Sequence, residues 1–159
     1  MSDKRLDTHA LWFEVFNEIG IIEQLSRSAF ERVMPGGLSL AGFTVLNHFV
    51  RLEKTEAAPS ELASAFQITK GAMTNTLKRL EALGYATVTA NPSDGRGKIV
   101  RITLKGRKAR DKSIAALAPQ LSEVARSLPG GDALAALPFL RQLRIFLDAQ
   151  RDLPHSSGK

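Results

Sequence analysis

The chain has 159 residues, 43% of them hydrophobic, with no cysteine and a net charge of +6. That length holds one ordinary domain or two small intertwined ones, and the apolar content is enough for a core. No run reads as a transmembrane segment or signal peptide, and the lack of cysteine excludes a thiol switch and a cysteine zinc site.

The charge is unevenly placed. Residues 69–112 hold 11 Lys/Arg against 3 Asp/Glu, a net of +8, whereas the remainder nets −2. A positive excess gathered in one segment is the electrostatic footprint of a polyanion-binding surface.

In chain order, the first predicted helix carries Leu11, Trp12, Val15, Phe16, Ile19, Ile22 and Leu25 as one apolar stripe. That stripe is richer than a solitary N-terminal helix needs. Gly42 lies inside a second apolar segment and weakens it by about 1 kcal/mol relative to alanine. A short helix follows, with Leu62, Ala63 and Phe66 on one side. Gln67-Ile68-Thr69 turns the chain, and Thr69 is placed to cap a further helix over Lys70–Leu83. In that helix Met73, Leu77 and Leu80 point inward at i, i+4 and i+7, and Gly84 suits its left-handed end. The opposite face offers Lys70, Gly71, Thr74, Asn75, Lys78 and, at its flank, Arg79. No core needs these residues. Short polar and basic side chains near a helix N-terminus can approach base edges and phosphates together.

Residues 85–90 and 99–104 read as two strands around a turn-rich, polar tip at 91–98. That tip carries Arg96 and Lys98, cations able to enter a narrow minor groove. Helix, turn, helix and β-hairpin in this order predict a winged helix-turn-helix. Beyond it, Ile114, Leu117, Leu121, Val124 and Leu128 recur near heptad spacing. Leu134, Leu137, Leu140, Leu143 and Leu147 continue after Pro129-Gly130-Gly131, with Asp132 as the expected cap. Pro119 and Pro138 predict a kink or break in each of these helices.

Catalytic and metal-binding patterns are lacking. The histidines at 9, 48 and 155 have no HxxH spacing, and Gly95-Arg96-Gly97 joins strand to strand, unlike a nucleotide loop. No nucleophile motif occurs, so the expectation is a non-enzyme without cofactor or metal.

The segment 60–107 resembles the DNA-binding region of the MarR family of bacterial winged-helix transcription regulators. Its wing signature Asp-x-Arg-x-x-x-Val stands here as Asp94-Gly95-Arg96-Gly97-Lys98-Ile99-Val100. Ile102-Thr103-Leu104-Lys105-Gly106-Arg107 is similar to the family's exit from the wing, and Leu38-Ser39-Leu40 with Phe43, Val45 and Leu46 to its second helix. The resemblance implies that Thr74 and Asn75 face bases, while Thr69, Gly71 and Arg79 lie near phosphates. It also implies that Arg96 enters the minor groove with Asp94 bracing the wing. Two positions depart: residue 71 is glycine where serine is common, and residue 75 is asparagine where arginine is common. Asparagine pairs with adenine through two hydrogen bonds, whereas arginine prefers guanine.

The resulting expectation is a mainly α protein with a small β-wing. A winged helix-turn-helix at 37–105 would be flanked by a helical dimerisation region, residues 1–36 and 106–153, with a disordered tail at 154–159. By resemblance it is a cytoplasmic homodimeric regulator, of repressor type, that binds double-stranded DNA at a palindromic operator. A small aromatic or phenolic effector would release it, in a pocket for which Trp12, Phe16 and His48 are candidates; core packing is the alternative for the two aromatics. Two other readings stay open, a winged-helix module docking a protein partner and a ligand-independent architectural DNA binder.

Overall fold

A computed structural model of the chain describes residues 7–92 and 94–150, with the side chains of residues 94–96 left out of the description. Six helices and three strands follow one another: α1 (Thr8–Val33), α2 (Leu40–Arg51), β1 (Glu56–Ala57), α3 (Pro59–Ala65), α4 (Lys70–Ala82), β2 (Ala86–Asn91), β3 (Asp94–Ile102), α5 (Leu104–Ser127) and α6 (Gly130–Gln150). The strands form one antiparallel sheet in the order β1-β3-β2. The chain divides after Leu117 into two compact units.

In the first unit, the core is made by the inward faces of α2, α3 and α4 closing on the sheet. Val45, Leu46 and Phe49 from α2 meet Leu62 and Ala63 from α3, Met73, Leu77 and Leu80 from α4, and Ala86 and Val100 from β2 and β3. Phe49, Leu46, Leu62 and Val100 are fully buried, so truncating the phenylalanine alone removes about 3–5 kcal/mol. Ser39 caps α2 by accepting from the Gly42 amide at 3.1 Å. Gly42 is more than a weak point in that helix. A Cβ there would stand 2.9 Å from Leu38 Cδ1 and 3.1 Å from Leu80 Cδ2, so glycine lets α2 and α4 approach closely.

The helix-turn-helix closes on Gln67, a non-glycine residue in the left-handed region at φ 51°. Left-handed backbone costs about 1–2 kcal/mol for such a residue. The Gln67 side chain offsets part of this by donating Nε2 to the Ser64 carbonyl at 2.9 Å. Thr69 then caps α4, accepting from the Ala72 amide at 3.1 Å, and Gly84 follows the helix at φ 72°, as the sequence predicts.

The wing differs from expectation. β3 starts at Asp94, not at 99, and pairs back to Asn91, with a register shift at Ala90/Asn91. Pairing with β2 passes from Ala90–Lys98 directly to Asn91–Asp94, so residues 95–97 form an irregularity in the ladder, which the glycines at 95 and 97 accommodate. The strand also ends sooner, at Ile102, because Thr103 accepts from the Gly106 amide at 3.0 Å and starts α5 at Leu104. Tyr85 precedes β2 and is buried.

Three expectations about the last two helices need correction. Of the kink or break expected at Pro119 and Pro138, the break does not occur: α5 runs continuously over 24 residues and α6 over 21, each losing only one backbone donor. Asp132 sits inside the first turn of α6 instead of capping it, and both Gly130 and Gly131 are helical. In that turn an acidic side chain still favours the helix dipole. None of the described residues in the second unit is buried. The expected tail at 154–159 and His155 lie outside the described residues.

Candidate nucleic-acid interface

Met73, Leu77 and Leu80 fix the roll of α4 by sinking to 1%, 3% and 1% exposure. That roll leaves Thr69, Lys70, Gly71, Thr74, Asn75, Lys78 and Arg79 exposed together. Their hydrogen-bond states differ in ways that matter for chemistry. The Thr69 oxygen is occupied as a cap acceptor, which leaves its hydroxyl proton free to donate to an anion. Thr74 has the reverse polarity: its hydroxyl donates to the Lys70 carbonyl at 2.8 Å, so outward it can only accept or offer its methyl group. Among the described residues the Asn75 amide has no partner. Its donor and acceptor are both available to a base edge.

Gly71 is not required by packing. A Cβ there would meet only Thr69 Oγ1, at 4.0 Å, so the position has room for a side chain, and without one it leaves the backbone of the first turn open to approach.

On the wing, Lys98 is exposed on β3. The backbone of Asp94 and Arg96 is part of β3, and their side chains lie outside the described residues. Arg101 on the same strand is not available for a ligand, because it pairs with Glu56 at 2.7 Å and reaches Thr89 Oγ1 at 3.3 Å. It braces the sheet instead.

Of the three residues proposed for an effector, two stand on α1 and one on α2. Trp12 and Phe16 pair with each other on α1, ring centroids 6.3 Å apart, and both are over two-fifths exposed. His48 lies on α2, edge-on to Phe66 at 5.1 Å. A cleft of about 230 Å³ between α1, α2 and the start of α4 is lined by Arg27, Thr44, Phe66, Ile68 and Met73 among others, and by none of the three.

His48 is held below its ordinary pKa, first by burial and then by the nearby Arg51 and Lys54 charges, with Glu61 opposing weakly. Glu61 is held below the usual carboxylate range chiefly by its hydrogen bond from Lys54. A histidine kept neutral by folding gives stability that is complete above about pH 6.5, where the unfolded side chain titrates, and is lost as pH falls through the folded value. Urea midpoints should therefore fall between pH 7.5 and pH 5, and His48→Gln should flatten that decline. The Glu61 contribution is lost only at lower pH, so it does not confuse the comparison. Equal declines in both proteins would assign the pH dependence elsewhere.

Sequence reasoning missed two contacts. Arg110 on α5 donates twice to Asn47 Oδ1 on α2, at 3.1 and 2.9 Å, tying the two helices together. Lys105 donates to the Leu83 carbonyl at 2.7 Å and so closes the C-terminal end of α4. No periodicity announces either, since the partners lie 63 and 22 residues apart in the chain.

Residues 36–97, which include this helix-turn-helix and most of the wing, match the family model described as MarR family. The match takes in α2, α3, α4, β2 and the first part of β3. No curated protein matches the sequence. Among solved structures, the transcriptional regulator BldR from Sulfolobus solfataricus is 23% identical with a TM-score of 0.73, covering 91% of this chain and 99% of its own. A mutant of MarR from E. coli complexed with operator DNA is 22% identical with a TM-score of 0.67, covering 86% and 98%. Bordetella bronchiseptica BpsR, described through regulation of its DNA binding by 6-hydroxynicotinic acid, is 19% identical with a TM-score of 0.67, covering 82% and 98%. The MarR-like fold thus extends well beyond the matched segment, over the helices at both ends. Among the described residues no helix is long and apolar enough to cross a membrane, and no group of acidic or histidine residues is placed to hold a metal ion.

Proposed function

We propose that this MarR-family transcription regulator reads double-stranded DNA in a sequence-selective way, as a repressor seated on a palindromic operator. The observation that carries the reading is the exposed face of α4. There the Asn75 amide, without a partner among the described residues, lies beside an acceptor-only Thr74 and between Lys70 and Lys78. Docking onto an acidic protein surface would need the lysines but not that amide–hydroxyl pair. Lys98 and Arg96 on β3 add cations for the minor groove.

The helical segments 1–36 and 106–153 act as the dimerisation region around the winged helix at 37–105. A two-fold dimer presents two α4 helices about one DNA turn apart, which accounts for a palindromic site. A small aromatic or phenolic effector releases the protein by binding its two DNA-spacing states with different affinity. The cleft beside Phe66, Ile68 and Met73 is the better place for it, because two of those residues belong to the start of the reading unit.

Selection of bound genomic fragments with the purified protein gives the site and its symmetry. On that site Asn75→Ala should lower specific affinity by about 1–3 kcal/mol while non-specific binding stays nearly intact. Equal losses on the selected site and on random duplex would remove Asn75 from base readout and the selective reading with it.

A further inference from the structure

Lys105, Lys108 and Lys112 stand at i, i+3 and i+7 along the start of α5 and so share one face of the helix. That face is one wall of an open cavity of about 240 Å³, whose other walls include Pro35, Gly36 and Tyr85. Like charges at this spacing repel one another. Among the described residues, Lys108 and Lys112 have no carboxylate partner to relieve the repulsion. Asp111, their acidic neighbour, is paired with Arg110 at 3.0 Å. Lys105 is differently placed, its Nζ bonded to the Leu83 carbonyl at 2.7 Å and 5.4 Å from the centre of the Tyr85 ring.

We propose that this cavity binds a small, multiply charged organic anion, and that binding draws Lys105 away from the end of α4. Three ammonium groups around one hollow call for more than one negative charge, since a monoanion leaves two of them uncompensated. The partly apolar walls, Pro35 and the Tyr85 ring, suit a ligand with a carbon body, and the volume limits it to a small one. A DNA backbone is the weaker fit. The lysines line a hollow instead of a ridge, and Leu83 lies eight residues past Asn75, about 12 Å along the helix axis.

The coupling follows from a shared ammonium group. Leu83 is the residue that ends the reading helix, and its carbonyl is one of those left without an intrahelical partner. Tyr85, two residues on, donates its hydroxyl to the Gly36 carbonyl at 3.3 Å, so the same cavity spans the α1–α2 connection and the exit from α4. An anion that recruits Lys105 removes a cation from the negative end of the helix dipole. The predicted result is a less ordered α4 terminus and weaker DNA binding. This last step rests on the DNA-binding reading; the binding step does not.

Calorimetric titration of the full chain without DNA, at constant ionic strength, tests the binding step with pyrophosphate and citrate as probes and benzoate as a singly charged control. Pyrophosphate or citrate should bind once per chain, more tightly than benzoate. Lys108→Gln with Lys112→Gln should weaken that binding by about tenfold or more, as expected for losing charge-assisted hydrogen bonds. Both positions are exposed, and unchanged thermal unfolding would show that the variant is folded. Binding that is unchanged in the double variant, or as tight for benzoate, would overturn the site. So would no anion binding together with reduced DNA affinity and a shallower salt slope, which would mark the lysines as phosphate-backbone contacts. If the anion binds as expected and DNA affinity does not move, the coupling through Lys105 is wrong while the site stands.

Discussion

Gly106→Ala is expected to destabilise the winged helix by about 3 kcal/mol or more, at the upper end of overpacking effects. A Cβ at this position would lie 2.1 Å from the Tyr85 carbonyl oxygen and 3.0 Å from its carbon, both of them backbone atoms. Neither side can yield cheaply. The Tyr85 oxygen already accepts from the Thr103 amide at 3.1 Å, and Thr103 Oγ1 bonds to the Gly84 carbonyl at 2.8 Å while capping the Gly106 amide. Moving α5 away would break this knot and uncover Ala109 and Ser113, which are buried one and two turns on. For a chain of this size such a loss corresponds to a fall in melting temperature of about 6–12 °C. Gly71→Ala supplies the control with opposite sign. Its Cβ has open space, and alanine in the first turn of α4 should gain up to about 0.5–1 kcal/mol over glycine, the helix-interior value. A scanning-calorimetry comparison in which both variants melt alike would refute the close approach at Tyr85.

The contrast between those two glycines shows where a single sequence is legible. α4 can be read almost entirely from local signals: Thr69 as cap, the 3–4 spacing of Met73, Leu77 and Leu80, and Gly84 at the end. Each acts within one or two turns, so the residues responsible are adjacent in the text. The exposed face with Thr74 and Asn75 follows from the same periodicity. Gly42 and Gly106 are different, since their meaning depends on Leu80 and Tyr85, elements away in sequence. Read locally, a glycine in a helix is only a weakness. The start of β3 is hidden for a related reason, because the Asn91–Asp94 pairing closes the hairpin across an irregular stretch at 95–97 that local composition reads only as a loop. Gln67 carries a turn that glycine would normally mark, and only its side-chain bond to Ser64 explains the exception. The three lysines of α5 were visible as charge, but their common cavity needed Pro35 and Tyr85 to be placed beside them.

Placing charge on the apolar surface of α1 is expected to have the largest functional effect of any surface change. Phe13, Ile22 and Leu25 are 72%, 60% and 68% exposed, and α1 has no buried residue at all. The second unit repeats the pattern by itself, with Leu134 at 73% and Ile145 and Phe146 at 57%. Apolar area left in water forgoes about 25 cal/mol per Å², and contiguous patches of this kind are rare on monomers. A second copy of the chain is the occupant that the MarR-like reading supplies. The wild-type protein should then be a dimer by light scattering at micromolar concentration. Ile22→Glu combined with Leu25→Glu places two carboxylates per subunit in a surface that must be dry, so the dimer should dissociate. The winged-helix core should survive, because neither side chain packs in it, and its thermal transition reports this directly. Operator affinity should nevertheless fall by about 10²–10⁴-fold, since each α4 then binds its half-site without the effective concentration supplied by a linked partner. Non-specific binding per subunit should change far less, because Lys70, Lys78 and Lys98 are untouched. A double variant that stays dimeric would show that α1 is not part of the interface. A monomeric variant that keeps full operator affinity would separate DNA reading from dimerisation and remove the argument for a palindromic site.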